Sequence, residues 1–206
     1  TNYHVVRGGN LCRVTLDSGY TMDVCFVAGD ENSDLAVLKV PPGALNTLGT
    51  LPAAPFGDSE QLVVGDPVYA IGAPRQLRGT LTNGIISAID RDVEVEGRTM
   101  TLLQTNAALN SGNSGGPLIN EQGRGIGINV INGQGQVVGI NVAKFMSSRD
   151  SVEGLGFAIP TAQLERIVND LLKWGEVKPE PRLGILVITD ERGLLVDSVE
   201  PGTAAE

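Results

Sequence analysis

Ten strand-like runs, separated by turns, are spread along this chain of 206 residues. A content of 27 glycines and 11 prolines suits an all-β protein with many tight turns. A hydrophobic content of 41% suits a globular protein with a packed core. The sequence therefore predicts an all-β fold with strands at 11–16, 21–28, 35–40, 67–72, 79–90, 99–104, 117–120, 125–130, 137–142 and 155–158.

A histidine, an aspartate and a serine stand at the edges of these runs. Residues 112–117 read Gly-Asn-Ser-Gly-Gly-Pro, and a serine hydroxyl such as that of Ser114 needs a nearby base to act as a nucleophile. His4 is the only histidine in the chain, so no other imidazole can be that base. Asp34 directly precedes an apolar run. The chain order His4, Asp34, Ser114 is that of the chymotrypsin triad and indicates a serine protease.

Each of these three signals is weaker when it is taken alone. A glycine-rich segment around Ser114 is compatible with a simple turn. A lone histidine is usually a structural side chain, and an aspartate before a strand often bonds only its own backbone. All three structural explanations would have to hold together for the chain to lack a triad.

The motifs around these residues resemble those of the Deg/HtrA family of trypsin-like serine proteases. The resemblance covers the histidine motif, the aspartate motif, the serine loop and the strand that closes the second barrel, which here are Thr1–Val6, Asp34–Lys39, Thr105–Pro117 and Gly154–Pro160. It implies a chymotrypsin-like double β-barrel followed by a PDZ domain. Asn106 and Ser111 stand where the family commonly has aspartate and proline, which affects loop stiffness and not chemistry.

The resemblance also implies a role for each site residue. Ser114 would attack the scissile carbonyl, His4 would take its proton, and Asp34 would hold the imidazole. The glycines of this loop would let Gly112, Asn113 and Ser114 form an oxyanion hole. Unfolded or damaged polypeptides, cut after small or medium aliphatic residues, are the implied substrates. No cofactor is expected, and one histidine with two separate cysteines does not form a zinc site.

Domain boundaries follow from the same resemblance. Residues 1–175 would form the protease domain, and residues 176–182 a semi-rigid linker. Residues 183–206 would begin a PDZ domain, in which Leu183, Gly184 and Ile185 form the loop that binds a peptide carboxylate. The second PDZ helix is not in the sequence, so peptide binding by this part is not expected. Before the linker, a helix opening at Pro160-Thr161 and ending near Gly175 is predicted from apolar residues at helical spacing: Leu164, Ile167, Val168, Leu171 and Leu172.

The first barrel is expected to be incomplete. Four of the predicted strands precede the interbarrel region and six follow it, whereas the family has two further strands before the histidine motif. The chain is therefore expected to be a piece of a longer protein, with His4 near a frayed end and weak activity. The family builds its trimer largely from the segment before that motif. A homotrimer is expected for the full-length protein and is doubtful for this chain.

The overall charge limits the possible partners. A net charge of −9 argues against a nucleic-acid partner, which would require a clustered basic face. No apolar run approaches the roughly 20 residues needed to span a bilayer. The resemblance implies an extracytoplasmic location, in the periplasm or cell envelope, with a possible anchor in a missing N-terminal segment.

The two cysteines flank a predicted hairpin. If Ser18-Gly19 forms a two-residue loop, Cys12 and Cys25 lie directly opposite each other at a non-hydrogen-bonded pair. A disulfide at that position and simple packing of two small side chains are then both open interpretations.

A twelve-residue segment occurs twice in tandem. Residues 119–130 and 131–142 share eight of twelve positions. Because the shift is even, both copies present the same side-chain alternation to the barrel. Either copy is a candidate for the strand that pairs with substrate: Gly139, Ile140, Asn141 and Val142, or Gly127, Ile128, Asn129 and Val130. The other copy would be a surface hairpin.

Two other functional interpretations stay open at the level of sequence. The chain could be a chaperone or adaptor that binds extended peptides without cutting them. It could also be an inactive product of a broken gene. Labelling with a serine-directed fluorophosphonate would separate the enzyme from both.

Overall fold

The computed structural model describes residues 1–49, 51, 53–73, 79–95, 97–120, 135–142, 154–179, 184–190, 193–202 and 204–205. The elements of the N-terminal half are α1 (Tyr3–Val6), β1 (Cys12–Thr15), β2 (Thr21–Asp30), β3 (Leu35–Lys39), α2 (Pro42–Leu48), a 3₁₀ turn (Ser59–Gln61), β4 (Pro67–Gly72), β5 (Thr80–Val95) and β6 (Arg98–Thr105). Those that follow are β7 (Pro117–Asn120), β8 (Val137–Val142), β9 (Gly156–Pro160), α3 (Thr161–Trp174), β10 (Ile185–Asp190) and β11 (Gly193–Val199).

An open antiparallel sheet forms the N-terminal unit. Its strands follow the order β1-β2-β3. Met22 and Val24 of β2 point inward and pack with Ala44 of α2, so the helix covers one face of the sheet. Alternation of buried and exposed residues in the first part of β2 explains why this run was recognisable in the sequence.

A closed six-stranded barrel forms the second unit, in the order β4-β5-β6-β9-β8-β7. Val68 and Ala70 of β4 are fully buried with Ile86, Leu118 and Val138 in the barrel core. The assignment of 67–72 to the first barrel was therefore wrong. Strand periodicity reports which face is buried and does not identify the neighbouring strand, and here β4 pairs with both β5 and β7. The predicted strand at 125–130 lies outside the described residues.

Helix α3 connects the two units through a shared core. Leu164, Ile167 and Leu171 are buried against residues of both the sheet and the barrel. The helix begins at Thr161 and ends at Gly175, which adopts a left-handed conformation and donates its N–H to the Leu171 carbonyl oxygen. The predicted helix is thus confirmed, except that Leu172 faces solvent and lies outside the buried stripe.

The β1–β2 hairpin has a different register from the expected one. Cys12 pairs with Val24, because the turn contains three residues, Asp17 to Gly19, and Leu16 donates its N–H to the Tyr20 carbonyl oxygen at 2.8 Å. Gly19 supplies the positive φ that such a loop requires. The prediction that Cys12 and Cys25 lie directly opposite each other was therefore wrong. Cys12 packs towards the sheet's core, Cys25 is exposed, and both are free thiols.

The C-terminal part of the described chain is an antiparallel hairpin of β10 and β11. A register shift between Leu186 and Val187 marks a bulge. The Glu200 N–H donates to the Gly184 carbonyl oxygen at 2.7 Å and extends the pairing by one step. Most apolar side chains of this hairpin are exposed.

Candidate active site

The segment that carries His4 is hydrogen-bonded to the start of β3. Asn2 forms an antiparallel bridge with Leu35, and the Ala36 N–H donates to the Thr1 carbonyl oxygen at 2.9 Å. The Asn2 side chain is fully buried, and its Nδ2 donates to the Asp34 carbonyl oxygen at 3.1 Å. Contrary to the expectation of a frayed end, His4 is anchored at both its backbone and its side chain.

Asp34 holds that histidine with both carboxylate oxygens. Oδ2 lies 2.7 Å from His4 Nδ1, and Oδ1 accepts the His4 backbone N–H at 2.9 Å. The relative exposure of the two side chains is 17% for His4 and 12% for Asp34, so the pair is shielded from water. A carboxylate on Nδ1 fixes the tautomer with the proton on that nitrogen, which leaves Nε2 to accept a proton.

A tight turn before β3 presents Asp34 to the histidine. Asp34 has a φ of 53°, in the left-handed region that few non-glycine residues adopt. Asp30 stabilises the turn, since its Oδ2 accepts from the Ser33 N–H at 2.7 Å and from the Ser33 hydroxyl at 2.8 Å. The local strain at Asp34 is thus supported by bonds within the turn and by those to His4.

The turn that carries Ser114 is fixed on both sides. The Asn113 N–H donates to the Asn110 carbonyl oxygen at 2.9 Å. Gly115 donates to the Asn141 carbonyl oxygen at 3.0 Å, and Asn141 donates to the Gly116 carbonyl oxygen at 2.9 Å. Positive φ values at Gly112 and Gly115 produce the sharp reversal and leave Ser114 half-buried at its apex.

The serine turn and the histidine segment meet at Gly115. A Cβ placed on Gly115 would overlap Thr1 and lie 3.1 Å from the backbone nitrogen of Asn2. Only glycine permits this approach, which brings the residue after Ser114 against the residues just before His4. The structure therefore joins His4 and Asp34 directly and places the Ser114 turn against the same segment.

Comparison with known proteins assigns this arrangement to a family. The trypsin-like peptidase domain matches residues 1–128, a range that contains His4, Asp34 and Ser114. The Bacillus subtilis protein named serine protease Do-like HtrB is 44% identical over 194 residues, which cover 91% of this chain and 38% of that protein. The putative serine protease HhoA of Synechocystis is 38% identical over 229 residues and covers 100% of this chain and 53% of its own length.

The chain belongs to the Deg/HtrA family of trypsin-like serine proteases.

Solved structures of the family agree with this membership. The HtrA-type protease AlgW with a tripeptide is 33% identical, with a TM-score of 0.73, and the match covers 100% of this chain and 66% of that one. AlgW with a decapeptide gives a TM-score of 0.71 at 32% identity, over 98% and 60% of the two chains. The chymotrypsin-like all-β fold is confirmed by these neighbours. The chain spans about half the length or less of the curated relatives it matches.

Within this Deg/HtrA site, the backbone donors around Ser114 are not equivalent. The Asn113 N–H is engaged by Asn110. Within the part of the chain that the structure describes, the Gly112 N–H has no acceptor, while its carbonyl oxygen accepts from Ala73 at 3.0 Å. The Asn113 N–H therefore helps to shape the turn, whereas the Gly112 N–H takes no part in a bond between described residues.

The Asn113 side chain is part of the support for this turn. It is 1% exposed, and its Nδ2 donates to the Ala108 carbonyl oxygen at 3.3 Å. Its Oδ1 lies against Gly72 and has no hydrogen-bond partner among the described residues. Sequence reasoning missed Gly72 and Asn2, because a buried polar contact between distant segments leaves no periodic signal.

The candidate substrate strand is largely paired within the barrel. Gly139 and Ile140 of β8 pair with β7 on one side and β9 on the other, and the backbone of Asn141 is bonded to Gly115 and Gly116. Val142, which ends β8, pairs with Phe157 of β9, so all four predicted residues of this copy are paired within the protein. The alternative copy, Gly127 to Val130, lies outside the described residues.

The remaining predicted residues are only partly described. Leu183 lies outside the described residues. Gly184 has a φ of 73° and bonds to Glu200, and Ile185 begins β10. Across the described ranges, no three His, Cys, Asp or Glu side chains are grouped so that they could hold a metal ion. Those ranges also contain no helix that is long and apolar enough to cross a membrane.

Proposed function

We propose that this chain carries the proteolytic site of a serine endopeptidase, with Ser114 as nucleophile, His4 as general base and Asp34 as its orienting carboxylate. The observation that carries the proposal is the His4–Asp34 pair, with 2.7 Å between Nδ1 and Oδ2, packed through Asn2 against the Ser114 turn. Family membership supports the same roles.

In the proposed reaction, His4 Nε2 takes the Ser114 hydroxyl proton as Oγ attacks the scissile carbonyl. Asp34 keeps the Nδ1 proton in place and stabilises the imidazolium that forms. His4 then gives its proton to the leaving amine, and the resulting acyl-enzyme is hydrolysed by water in the reverse sequence.

The negative charge that develops on the carbonyl oxygen needs donors in place before the reaction. The family resemblance makes the Gly112 and Ser114 N–H groups the candidates, and the Asn113 N–H between them is engaged by Asn110. Removing one donor of this kind typically costs ~10²–10³ in rate. The rigid turn around Asn113 would therefore contribute to catalysis without contacting the substrate.

Unfolded or damaged polypeptides are the proposed substrates, bound as extended strands and cut after small or medium aliphatic residues. Peptide-bound structures of AlgW support a peptide ligand. We further propose an extracytoplasmic location, a PDZ domain beginning at residues 183–206, a linker at 176–182, and a homotrimer for the full-length protein. From the family resemblance we also propose a role in protein quality control that needs no ATP.

Peptide hydrolysis by matched serine variants tests the proposal. Ser114→Ala should lower turnover of casein or a fluorogenic aliphatic peptide by ~10⁴-fold or more, since packing cannot replace the nucleophile. Ser111→Ala, at an exposed serine three residues earlier, should stay within about twofold of the parent chain. Equal turnover by the parent chain and Ser114→Ala would overturn the triad. A parent chain that binds peptide without cutting it would favour an adaptor.

A further inference from the structure

Three charged side chains outside the triad connect the histidine and aspartate segments to the barrel. Glu31 lies in the turn between β2 and β3, three residues before Asp34. Its Oε1 accepts from Arg7 Nη1 at 2.6 Å and from Arg98 Nη2 at 2.8 Å. The other guanidinium nitrogen of Arg98 donates to the Glu31 carbonyl oxygen. We refer to Arg7, Glu31 and Arg98 as the Arg–Glu–Arg clamp.

Each residue of the clamp belongs to a different segment of the chain. Arg7 immediately follows α1, which carries His4. Glu31 belongs to the turn that holds Asp34 in its left-handed conformation. Arg98 is the first residue of β6 and lies 67 residues after Glu31 in the sequence. Strand β6 belongs to the barrel that carries Ser114. The clamp therefore joins the histidine segment and the aspartate turn to the barrel from which the Ser114 turn projects.

Packing around the clamp supports the same connection. A small cavity is lined by the His4–Asp34 pair, by the clamp, and by Val95 and Met100, which flank Arg98 in the β5–β6 hairpin. Met100 also belongs to the buried core that includes Leu35 of β3. The hairpin thus reaches from the barrel to the cavity that the pair also lines, and Arg98 is the residue of the hairpin that bonds to the β2–β3 turn there.

We propose that Arg98 and Glu31 are positioning residues, which align the His4–Asp34 pair with Ser114 by fixing the β2–β3 turn to the barrel. This inference rests on the proposed function for its kinetic consequence. The two terminal guanidinium nitrogens of Arg98 donate to one carboxylate oxygen and one backbone oxygen of Glu31. Lysine cannot reproduce this geometry with a single ammonium group.

The expected effect is moderate, because the clamp is partly exposed. An exposed ion pair contributes little to stability by itself. A misplacement of a catalytic group by about 1 Å, however, can lower the rate by ~10²-fold. Removing Arg98 should therefore lower kcat by about three- to tenfold and leave KM within about twofold, since Arg98 does not belong to the candidate substrate strand β8. Screening by salt should reduce the parent kcat towards the variant value.

Kinetics of three arginine variants test the proposal. Arg98→Ala should show the kcat loss, and Arg98→Lys should recover only part of it. The control is Arg13→Ala, which removes an exposed pair with Asp23 at 2.8 Å in the β1–β2 hairpin, away from the site. The kcat and KM of Arg13→Ala should match those of the parent chain. If Arg98→Ala does not fold, Glu31→Gln provides the same comparison with a nearly isosteric side chain.

A direct readout of the pair separates this proposal from the triad assignment. His4 is the only histidine, so its Nδ1 proton gives one assignable NMR signal. The signal should be sharp in the parent chain and broadened by exchange in Arg98→Ala and Glu31→Gln, also in a Ser114→Ala background. An unchanged signal and kcat in both variants would overturn the clamp. Undiminished turnover by Ser114→Ala alone would instead overturn the proposed function.

Discussion

At the scale of single residues, the site depends on contacts that only small side chains permit. Gly115 allows the serine turn to reach Asn2, and Gly72 allows the buried Asn113 side chain to lie against β4. A Cβ at Gly72 would lie 2.7 Å from Asn113 Cα and 2.8 Å from Asn113 Cγ, closer than real Cβ atoms approach such carbons. The shape of the serine turn is therefore set partly by a residue outside every recognisable motif.

Gly72→Ala should disturb both stability and turnover, because its methyl group forces Asn113 and the turn to move. Overpacking of this kind typically costs about 1–3 kcal/mol. Gly43→Ala in α2 is the matched control, since a Cβ there meets nothing within 4 Å. It should be neutral or slightly stabilising. Urea denaturation and kcat of both variants provide the measurement, and equal behaviour would show that Asn113 can relocate without cost.

At the scale of elements, registers and neighbours were the least predictable features. Alternation located β1 to β9 but did not predict β10 and β11. It could not choose between a two-residue and a three-residue loop after β1, so the cysteine pairing was one residue off. It also gave no sign that β4 closes the second barrel. The triad residues were identifiable because their motifs are local. Asn2 and Arg98 were not, since their contacts join distant segments.

The observed hairpin register predicts unequal thiol reactivity. Cys25 should react with iodoacetamide faster than Cys12, because Cys25 is exposed and Cys12 packs towards the core of the sheet. Mass analysis without reductant should show two thiols. Loss of two hydrogens within one chain, with the fold intact, would mean that the register in solution is not the one with Cys12 opposite Val24.

The clamp also predicts a pH dependence. The hydrogen bond from Arg98, followed by that from Arg7, lowers the pKa of Glu31 from its ordinary value of 4.5. A lowered folded-state pKa means that the stabilisation is present above pH 4.5 and is lost as the pH falls through the lowered value. Glu31→Gln should therefore lower Tm at about pH 7, and the difference should shrink in acid.

Glu60→Gln is the control for this measurement, because Glu60 is exposed in the 3₁₀ turn and distant in sequence from the clamp. Its Tm difference from the parent chain should stay small at every pH. A Glu31→Gln difference that persists unchanged at about pH 3 would show that the substitution acts through packing and not through the carboxylate charge.

At the scale of the whole molecule, the site lies where an open sheet meets a closed barrel. One buried cluster contains residues of β2, β3, the barrel and α3, so the two units share a core. In the proposed mechanism, the segments paired with the sheet contribute the base and its orienting carboxylate, and the barrel contributes the nucleophile. Relative displacement of the two units would therefore separate Ser114 from His4 without breaking the His4–Asp34 pair.

Covalent labelling tests the central claim most directly, because it requires Ser114, His4 and their alignment together. A serine-directed fluorophosphonate should modify the parent chain at Ser114 alone, as located by peptide mass analysis. His4→Ala should reduce the labelling rate by several orders of magnitude, since the hydroxyl then lacks its base. Labelling of Ser114 that is equally fast in His4→Ala, or a folded parent chain that is not labelled, would contradict the account.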